Sequence, residues 1–278
     1  MKIKNILTVL IIWIGILQPD RVIACRQVSL PESETALKIL LSGINTSNPD
    51  ASNLAVADSF ANLLAEALKI PGSFEYPFDQ LKTIGKVSSS DKKIRLITWN
   101  LPLKDGTHIY YGFVLSKGSG KEPKVFRLTD NSDNYLDAAT ETGSPANWYG
   151  CLVYEIVEMK SAGETLYTLL GYDPNNLFTS KKLIDVLWFN QAGEPVFGKP
   201  VFRMTKGIQS RVVFEYSAKI QMSLKWNERM KMIVFDHLSP SRPSFTGSYE
   251  HYGPDFSYDG FRFEKDAWVL TEQIDMRN

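Results

Sequence analysis

One short segment of the sequence combines tyrosines, carboxylates and a histidine between glycine and proline residues. It reads SYEHYGPDFSYDGF and covers residues 248–261, and its glycine and proline residues predict a loop. Tyrosine rings offer a surface for stacking and carboxylates accept hydrogen bonds, a mixture typical of a site for a sugar or a polar peptide. The candidate ligand-binding residues from this segment are Tyr252, Asp255, Tyr258 and Asp259. The alternative is structural, with the tyrosines packed on a sheet and the aspartates bound to turn amides.

A second candidate segment is the apolar run IVFDHLSP, residues 233–240, which contains an acid and a histidine near its end. Side chains alternate between the two faces of a strand, so Asp236 and His237 are expected on opposite faces. An acid at such a position either caps a turn or lies at the rim of a pocket. We include Asp236 and His237 as candidates at the edge of the site in residues 248–261. These patterns identify no catalytic residue.

The sequence lacks the common catalytic and metal-binding motifs. GxSxG, HExxH, CxxC and the phosphate-binding GxxxxGK[ST] are all absent. His108, His237 and His251 are too far apart to share a metal on one element. The segment GYDPNN, residues 171–176, has oxygen ligands for a hard cation but no downstream glutamate, so we interpret it as an Asx turn. We therefore expect no metal site and no cofactor.

Composition restricts the class of protein. The chain has 278 residues, of which 44% are hydrophobic and 12% aromatic, with 31 basic and 31 acidic residues. This aromatic content fits a β-rich core, and the length suits one large domain or a core with a small appendage. The formal net charge of zero argues against a nucleic-acid partner, because displacing counterions from phosphates needs a basic face.

Residues 1–24 have the pattern of a cleavable secretory signal. Lys2 and Lys4 provide the positive start, and an apolar run covers residues 6–17. As a helix that run would span about 18 Å, against the roughly 30 Å of hydrocarbon in a bilayer. We therefore expect export to the periplasm and no transmembrane helix in the mature chain.

Cys25 is the residue that decides whether the exported chain carries a lipid anchor. The preceding VIA matches a bacterial lipobox, which makes Cys25 a lipidation candidate. A lipobox usually follows the apolar run directly, whereas two charged residues intervene here, so a soluble periplasmic chain is favoured. A disulfide between Cys25 and Cys151 is a third alternative. Cys151, however, lies in the strand-like run WYGCLVYEIV, where a buried free thiol is the commoner state.

Residues 25–73 are predicted to be helical. A proline and two acids within residues 31–34 begin a first helix. In a second helix, apolar residues recur at three- and four-residue steps between Leu54 and Leu68, and a Pro-Gly pair ends the pattern. Asn-Pro-Asp at residues 48–50 turns the chain between them, so we expect a helical hairpin.

Residues 74–278 are predicted to form a large antiparallel β domain. Strand-like runs recur there, separated by short segments rich in Gly, Asn, Asp and Pro. Asp105-Gly106 favours a tight hairpin, and no helix long enough for a βαβ crossover separates the strands. Residues 128–148 are polar and lack periodicity, which predicts a surface loop. The fold class is therefore α+β, a helical hairpin followed by an antiparallel meander, with barrel, sandwich and propeller-like closures as open alternatives.

Several long strings carry a resemblance to a known family. They are NWYGCLVYEI, YTLLGYD, KKLIDVL, RVVFEYSA, MIVFDHLSP and YGPDFSYDGF, followed by the terminal DMRN. Together they resemble a family of uncharacterised exported bacterial proteins of the Bacteroidetes type, over roughly residue 74 to the end of the chain. The resemblance implies export and transfers no activity, fold or catalytic residue.

The function expected from these observations is binding. We predict a non-enzymatic exported protein that binds a polar ligand or an envelope partner in the periplasm. The alternative is a hydrolase that acts on polysaccharide or cell-envelope material, with Asp255 or Asp259 working together with Asp236. Two carboxylates in one cleft, about 5–10 Å apart, would favour the hydrolase.

Overall fold

The computed structural model describes residues 28–118, 120 and 122–276. The predicted signal segment and the lipidation candidate Cys25 lie outside the described residues. Helices come first along the described chain, and strands follow in sheets that are mostly antiparallel. The predicted α+β class, with N-terminal helices and a large antiparallel-rich β region, is confirmed. Within the described part of the chain, no helix is long and apolar enough to cross a membrane.

The helices are α1 (Leu30–Ser42) and α2 (Asp50–Leu68), and they pack against each other. A capping box starts α1, because Ser29 Oγ accepts the Glu32 N–H at 3.4 Å and Glu32 Oε2 accepts the Ser29 N–H at 3.0 Å. The apolar stripe predicted for the second helix is the face that α2 buries. The buried Glu34 ties the hairpin to the following chain, since it accepts the Tyr76 hydroxyl and the Gln80 N–H, both at 2.7 Å.

The strands form three sheets. In chain order they are β1 (Gly85–Ser88), β2 (Ile94–Pro102), β3 (His108–Ser116), β4 (Lys124–Thr129), β5 (Leu152–Ser161), β6 (Glu164–Asp173), β7 (Thr179–Phe189), β8 (Pro195–Phe197), β9 (Phe202–Arg203), β10 (Ile208–Gln209), β11 (Val212–Ser217), β12 (Leu224–Asn227), β13 (Met232–Pro240), β14 (Tyr252–Glu264) and β15 (Ala267–Thr271). Sheet 1 has the order β1-β2-β3-β4, and sheet 2 has the order β11-β7-β6-β5, with β8 paired to β7. Sheet 3 has the order β10-β9-β15-β14-β13-β12.

Sheet 2 lies between the other two sheets, and this position explains its sequence. One face packs towards sheet 1 through Leu169 and Leu183, and the opposite face packs towards sheet 3 through Leu170 and Ile184. A strand buried on both faces has a nearly continuous apolar run instead of an alternating one, and in KLIDVLWF at residues 182–189 only Lys182 and Asp185 are charged. The helices cover the other face of sheet 1. The order of the layers is therefore helices, sheet 1, sheet 2 and sheet 3. Among the barrel, sandwich and propeller-like alternatives, this arrangement is most similar to the sandwich.

Sheet 3 departs from the predicted meander and loop. Its strand β15 pairs in parallel with β9, so β15 lies between β9 and β14. The interpretation of residues 248–261 as a loop is wrong for most of the segment, because β14 begins at Tyr252. Pro254 is tolerated there because β15 pairs only with residues 260–264, so the first half of β14 has a neighbour on one side only.

Residues 128–148 are held more firmly than the predicted surface loop. The Trp148 N–H donates to the Thr129 carbonyl at 3.0 Å, and the Asn131 N–H donates to the Trp148 carbonyl at 2.9 Å. Trp148 itself is fully buried. The two ends of the segment therefore meet beside β4.

Candidate functional site

A polar cavity of about 580 Å³ opens between one end of sheet 1 and one end of sheet 2. Its walls come from the β2–β3 hairpin at residues 103–110, the β6–β7 hairpin at residues 173–181, and the chain that follows β4. We call it the inter-sheet cavity. Its volume lies within the range of small-molecule binding sites, and most of its lining side chains carry polar atoms.

Asp173 is a buried carboxylate in the wall of the inter-sheet cavity, 4% exposed. Its Oδ1 accepts hydrogen bonds from the Tyr110 hydroxyl and the Asn175 N–H. Burial raises the pKa of Asp173 above its usual value, outweighing the Tyr110 hydrogen bond and the charge of Lys181, which act in the opposite direction. Burial also raises the pKa of the Tyr110 phenol, which keeps it protonated as a donor. A carboxylate perturbed in this way inside a cavity is a frequent property of functional sites.

His108 contributes a neutral ring to the same cavity. Its Nδ1 lies 2.8 Å from Asn100 Nδ2. Because an amide nitrogen can only donate, Nδ1 is the acceptor and the proton of the neutral ring is on Nε2. Burial lowers the pKa of His108, which favours this neutral form. The ring therefore offers an N–H donor without a positive charge.

Lys181 lies opposite acidic residues on two neighbouring strands, and its charge acts on the Asp173 carboxylate. In the sheet register it is paired with Asp173 on β6 and with Glu215 on β11. Its side chain is half-buried. The charged residues that line the cavity are Asp105, Asp133, Asp173 and Lys181. The cavity thus combines acceptors and donors, with acidic groups in excess, an arrangement that suits a small polar ligand rich in hydrogen-bond donors.

Asp130 holds together the two pieces of backbone that form one wall. Its Oδ2 accepts the Tyr110 N–H at 3.1 Å, and its Oδ1 accepts the N–H groups of Ser132 at 3.1 Å and Gly150 at 3.2 Å. Gly150 has to lack a side chain, because a Cβ there would lie 2.5 Å from Asp130 Oδ1 and 2.7 Å from Tyr110 Cβ. These contacts position Ser132, Tyr110 and the chain beside them around the cavity.

A buried arginine fixes the same wall from behind. Arg211 Nε donates to Asp185 Oδ2 at 2.7 Å, and Nη1 donates to the Ala138 carbonyl at 2.8 Å. Its guanidinium carbon lies 5.1 Å from the ring centre of Tyr135 and 5.2 Å from that of Tyr149, which lines the cavity. The guanidinium therefore holds the 128–148 segment against sheet 2, because it bonds to both and stacks on the rings between them.

The structure brings three of the six predicted ligand-binding residues together, with His237 between the carboxylates of Asp255 and Asp259. His237 Nδ1 lies 2.7 Å from Asp259 Oδ2, and His237 Nε2 lies 3.9 Å from Asp255 Oδ2. The other Asp259 oxygen accepts the Gln273 N–H at 2.9 Å, and Asp255 Oδ1 accepts the N–H and hydroxyl of Ser257. Both carboxylates thus bind neighbouring backbone, which is the structural alternative weighed from the sequence.

The side chains of the remaining three predicted residues make other contacts. Asp236 Oδ2 accepts the Ser223 N–H at 2.7 Å, so Asp236 caps the start of β12. The Tyr252 ring packs on Tyr249 at 5.1 Å between centres. Tyr258 lines a cavity of about 520 Å³ beside the C-terminal segment. Whether any of the six residues binds a ligand stays a prediction.

Cys151 lies in the core between sheets 1 and 2. It is a free thiol and is buried, as expected from its strand-like sequence. Burial raises the pKa of the thiol well above its usual range, so little reactive thiolate forms. In the described chain, no cluster of three or more His, Cys, Asp or Glu side chains has the arrangement of a metal site.

The sequence contains two parts of the inter-sheet cavity, but no sequence pattern connects them. GYDPNN was interpreted as an Asx turn, and Asp173 does accept the Asn175 N–H in that way. His108 was considered only as a metal ligand. The signal that could have joined them is their position at the ends of strands flanking two hairpins, at residues 103–107 and 174–178. No family model, curated protein or solved structure matches the chain.

Proposed function

We propose that this protein is a non-enzymatic protein of the bacterial periplasm that binds a small polar ligand in the inter-sheet cavity. The observation that carries the proposal is Asp173, a carboxylate kept out of water at the wall of a cavity of about 580 Å³. Desolvating a carboxylate is unfavourable, and a ligand that donates hydrogen bonds to it would offset that cost. Lys181 and the neutral His108 supply complementary groups at the same place.

Binding has better support than catalysis. Nucleophilic catalysis requires a hydrogen bond between a base and a hydroxyl or thiol nucleophile. Among the described residues, His108 is hydrogen-bonded to Asn100 and to no hydroxyl or thiol. The carboxylates of the hydrolase alternative are Asp236, Asp255 and Asp259, and each accepts a backbone N–H. A glycosidase pair needs one acid and one carboxylate that face the bond to be cleaved. The hydrolase alternative therefore stays a prediction, and none of these contacts supports it.

Export is part of the proposal. It is supported by the secretory pattern of residues 1–24 and by the resemblance to exported proteins of the Bacteroidetes type. We propose a soluble periplasmic protein in preference to one anchored through a lipid on Cys25.

Ligand capture tests the binding proposal. Purified protein is incubated with a small-molecule extract, separated by ultrafiltration, and the retained compounds are identified by mass spectrometry. We expect a compound retained by the wild type and lost from both Asp173→Asn and Lys181→Met, whereas Asp255→Asn keeps it. Loss from Asp255→Asn with retention by Asp173→Asn would move the site to the His237 cluster. Equal retention by all variants, or by none, would contradict binding in this cavity.

A further inference from the structure

The opposite face of sheet 2 carries a lysine without a carboxylate partner. Lys182 follows Lys181 on β7, and its side chain lies on the face towards sheet 3. Its Nζ lies 4.3 Å from the ring centre of Tyr154 and 5.0 Å from that of Tyr172. No carboxylate among the described residues forms an ion pair with it. The only cause that shifts the pKa of Lys182 is burial, which lowers it.

This lysine lines a cavity of about 380 Å³, separate from the inter-sheet cavity. Ser180, Tyr172 and Tyr216 also line it, together with Gln221. In the described chain, the hydroxyls of Ser180 and Tyr172 have no hydrogen-bond partner. Burial raises the pKa of Tyr216 to about 12, so its phenol remains a donor at neutral pH. The cavity therefore presents an ammonium group and three hydroxyls, and its lining contains no carboxylate.

We infer that this cavity is a binding site for an oxyanion, the carboxylate or phosphate group of a small molecule. A half-buried ammonium group needs a counter-charge, and no carboxylate of the described chain supplies one. Hydroxyl donors around a cation are the partners that carboxylate and phosphate oxygens use. The tyrosine rings hold the ammonium in place through their negative faces. The site is independent of the proposed function, because it lies on the other face of sheet 2.

The test uses sodium phosphate and sodium acetate as probes. Thermal unfolding is followed against increasing concentrations of each salt, with the ionic strength held constant by sodium chloride. We expect a saturable rise in melting temperature, and the probe that produces it distinguishes phosphate from carboxylate recognition. Lys182→Met should weaken the apparent affinity at least tenfold, while Lys225→Met, which removes an exposed lysine of β12, leaves it unchanged. A rise that does not saturate, or an equal rise in Lys182→Met, would overturn the inference.

A second measurement needs no variant. Wild-type protein is acylated with an amine-reactive ester, and the modification of each lysine is measured by mass spectrometry with and without the probe salt. Occupation of the site should slow the acylation of Lys182 several-fold and leave that of Lys225 unchanged. If phosphate and acetate both fail to protect Lys182, the cavity does not bind oxyanions.

Discussion

Lys181 and Lys182 are consecutive residues of β7 with opposite electrostatic surroundings. Lys181 is paired across the sheet with Asp173 and Glu215, whereas the ammonium of Lys182 lies over the rings of Tyr154 and Tyr172. The contrast follows from the alternation of side chains in a strand. Since sheet 2 is covered on both faces, each lysine faces a different neighbouring sheet.

This contrast predicts different effects on stability. Lys181→Met removes the positive charge that favours the ionised form of Asp173, so we expect a loss of about 1 kcal/mol in the free energy of unfolding. Lys182→Met removes a desolvated ammonium and keeps an apolar side chain against the tyrosines, so its effect should be close to zero or stabilising. Urea denaturation of the two variants measures both values. If Lys182→Met lost more free energy of unfolding than Lys181→Met, the contacts of the Lys182 ammonium with the tyrosine rings would outweigh the cost of its desolvation.

The raised pKa of Asp173 predicts a pH dependence. Folding raises this pKa above its usual 3.8, so the folded chain holds the proton more tightly than the unfolded one. The contribution to stability is fully present below that value and is lost as the pH rises through the folded pKa. Asp173→Asn removes the charge but keeps the carbonyl oxygen that can accept from Tyr110 and Asn175. We therefore expect the variant to be more stable than the wild type by about 1 kcal/mol at neutral pH.

The same variant should show almost no difference from the wild type in acid, where Asp173 is protonated. Denaturant unfolding at several pH values checks the trend. If Asp173→Asn were less stable than the wild type at neutral pH, the protein itself would compensate the desolvation of the ionised carboxylate. That result would remove the main support for a ligand at Asp173.

Local signals account for the parts of the fold that the sequence predicts. The apolar stripe of α2 and the Asp105-Gly106 hairpin depend on neighbours a few residues apart, and both are present as expected. The sequence predicts a strand only for the end of β14, at residues 261–264, because Gly253 and Pro254 are typical of a loop. Only the arrangement of sheet 3, in which β15 pairs with the second half of β14, makes them acceptable there.

The candidate site could not be predicted in the same way. The inter-sheet cavity joins His108 to Asp173, which are far apart in sequence and belong to different sheets. Their meeting depends on how sheet 1 stacks on sheet 2, and no local pattern encodes that geometry. The cluster of residues in 248–261 was visible because it is local, yet the structure uses its aspartates largely to bind backbone N–H groups.

His237 and Asp259 form a pair whose strength depends on pH. The hydrogen bond that the protonated His237 ring donates to the Asp259 carboxylate raises the pKa of His237 above its usual 6.5. The contribution of this pair to stability is therefore fully present below that pH and is lost as the pH rises through the folded pKa. The His237 side chain is 45% exposed, and water screens the pair, so His237→Gln should cost less than about 1 kcal/mol.

The stability of His237→Gln should be compared with that of the wild type at pH values from below the usual pKa of histidine to above the folded pKa of His237. The difference in the free energy of unfolding is expected to be largest in mild acid and to shrink as the pH rises. Asp255→Asn serves as the control, because Asp255 lies farther from the ring, at 3.9 Å, and should change this profile less. A difference that does not vary with pH would show that His237 stabilises the protein through packing alone.

Cys25 allows a direct test of localisation. If the signal at residues 1–24 is simply cleaved, the mature protein fractionates with soluble periplasmic proteins, and Cys25→Ser alters neither processing nor location. Labelled fatty acid in the wild type that disappears in Cys25→Ser would make the protein a lipoprotein. N-terminal sequencing of the mature chain locates the cleavage site in either case.

Cys151 and Gly171 pack so closely that the Cys151 thiol leaves no room for a side chain at position 171. A Cβ at position 171 would lie 2.6 Å from Cys151 Sγ and 3.3 Å from Cys151 Cβ. Gly171→Ala should therefore overpack the core between sheets 1 and 2 and cost about 1–3 kcal/mol. Cys151→Ala alone should cost about 1 kcal/mol, because it leaves a small cavity in place of the thiol. Native protein should also resist thiol reagents, since the thiol is buried and its pKa is raised.

The double variant gives the sharper measurement. Removing the Cys151 sulfur takes away the 2.6 Å contact, so Gly171→Ala should cost at least 1 kcal/mol less in the Cys151→Ala background, within the range of coupling between touching residues. Denaturant unfolding of the four proteins of this cycle yields the coupling energy. Strictly additive effects would mean that Cys151 moves aside without strain, and rapid labelling of native protein would mean that the interface between sheets 1 and 2 opens readily.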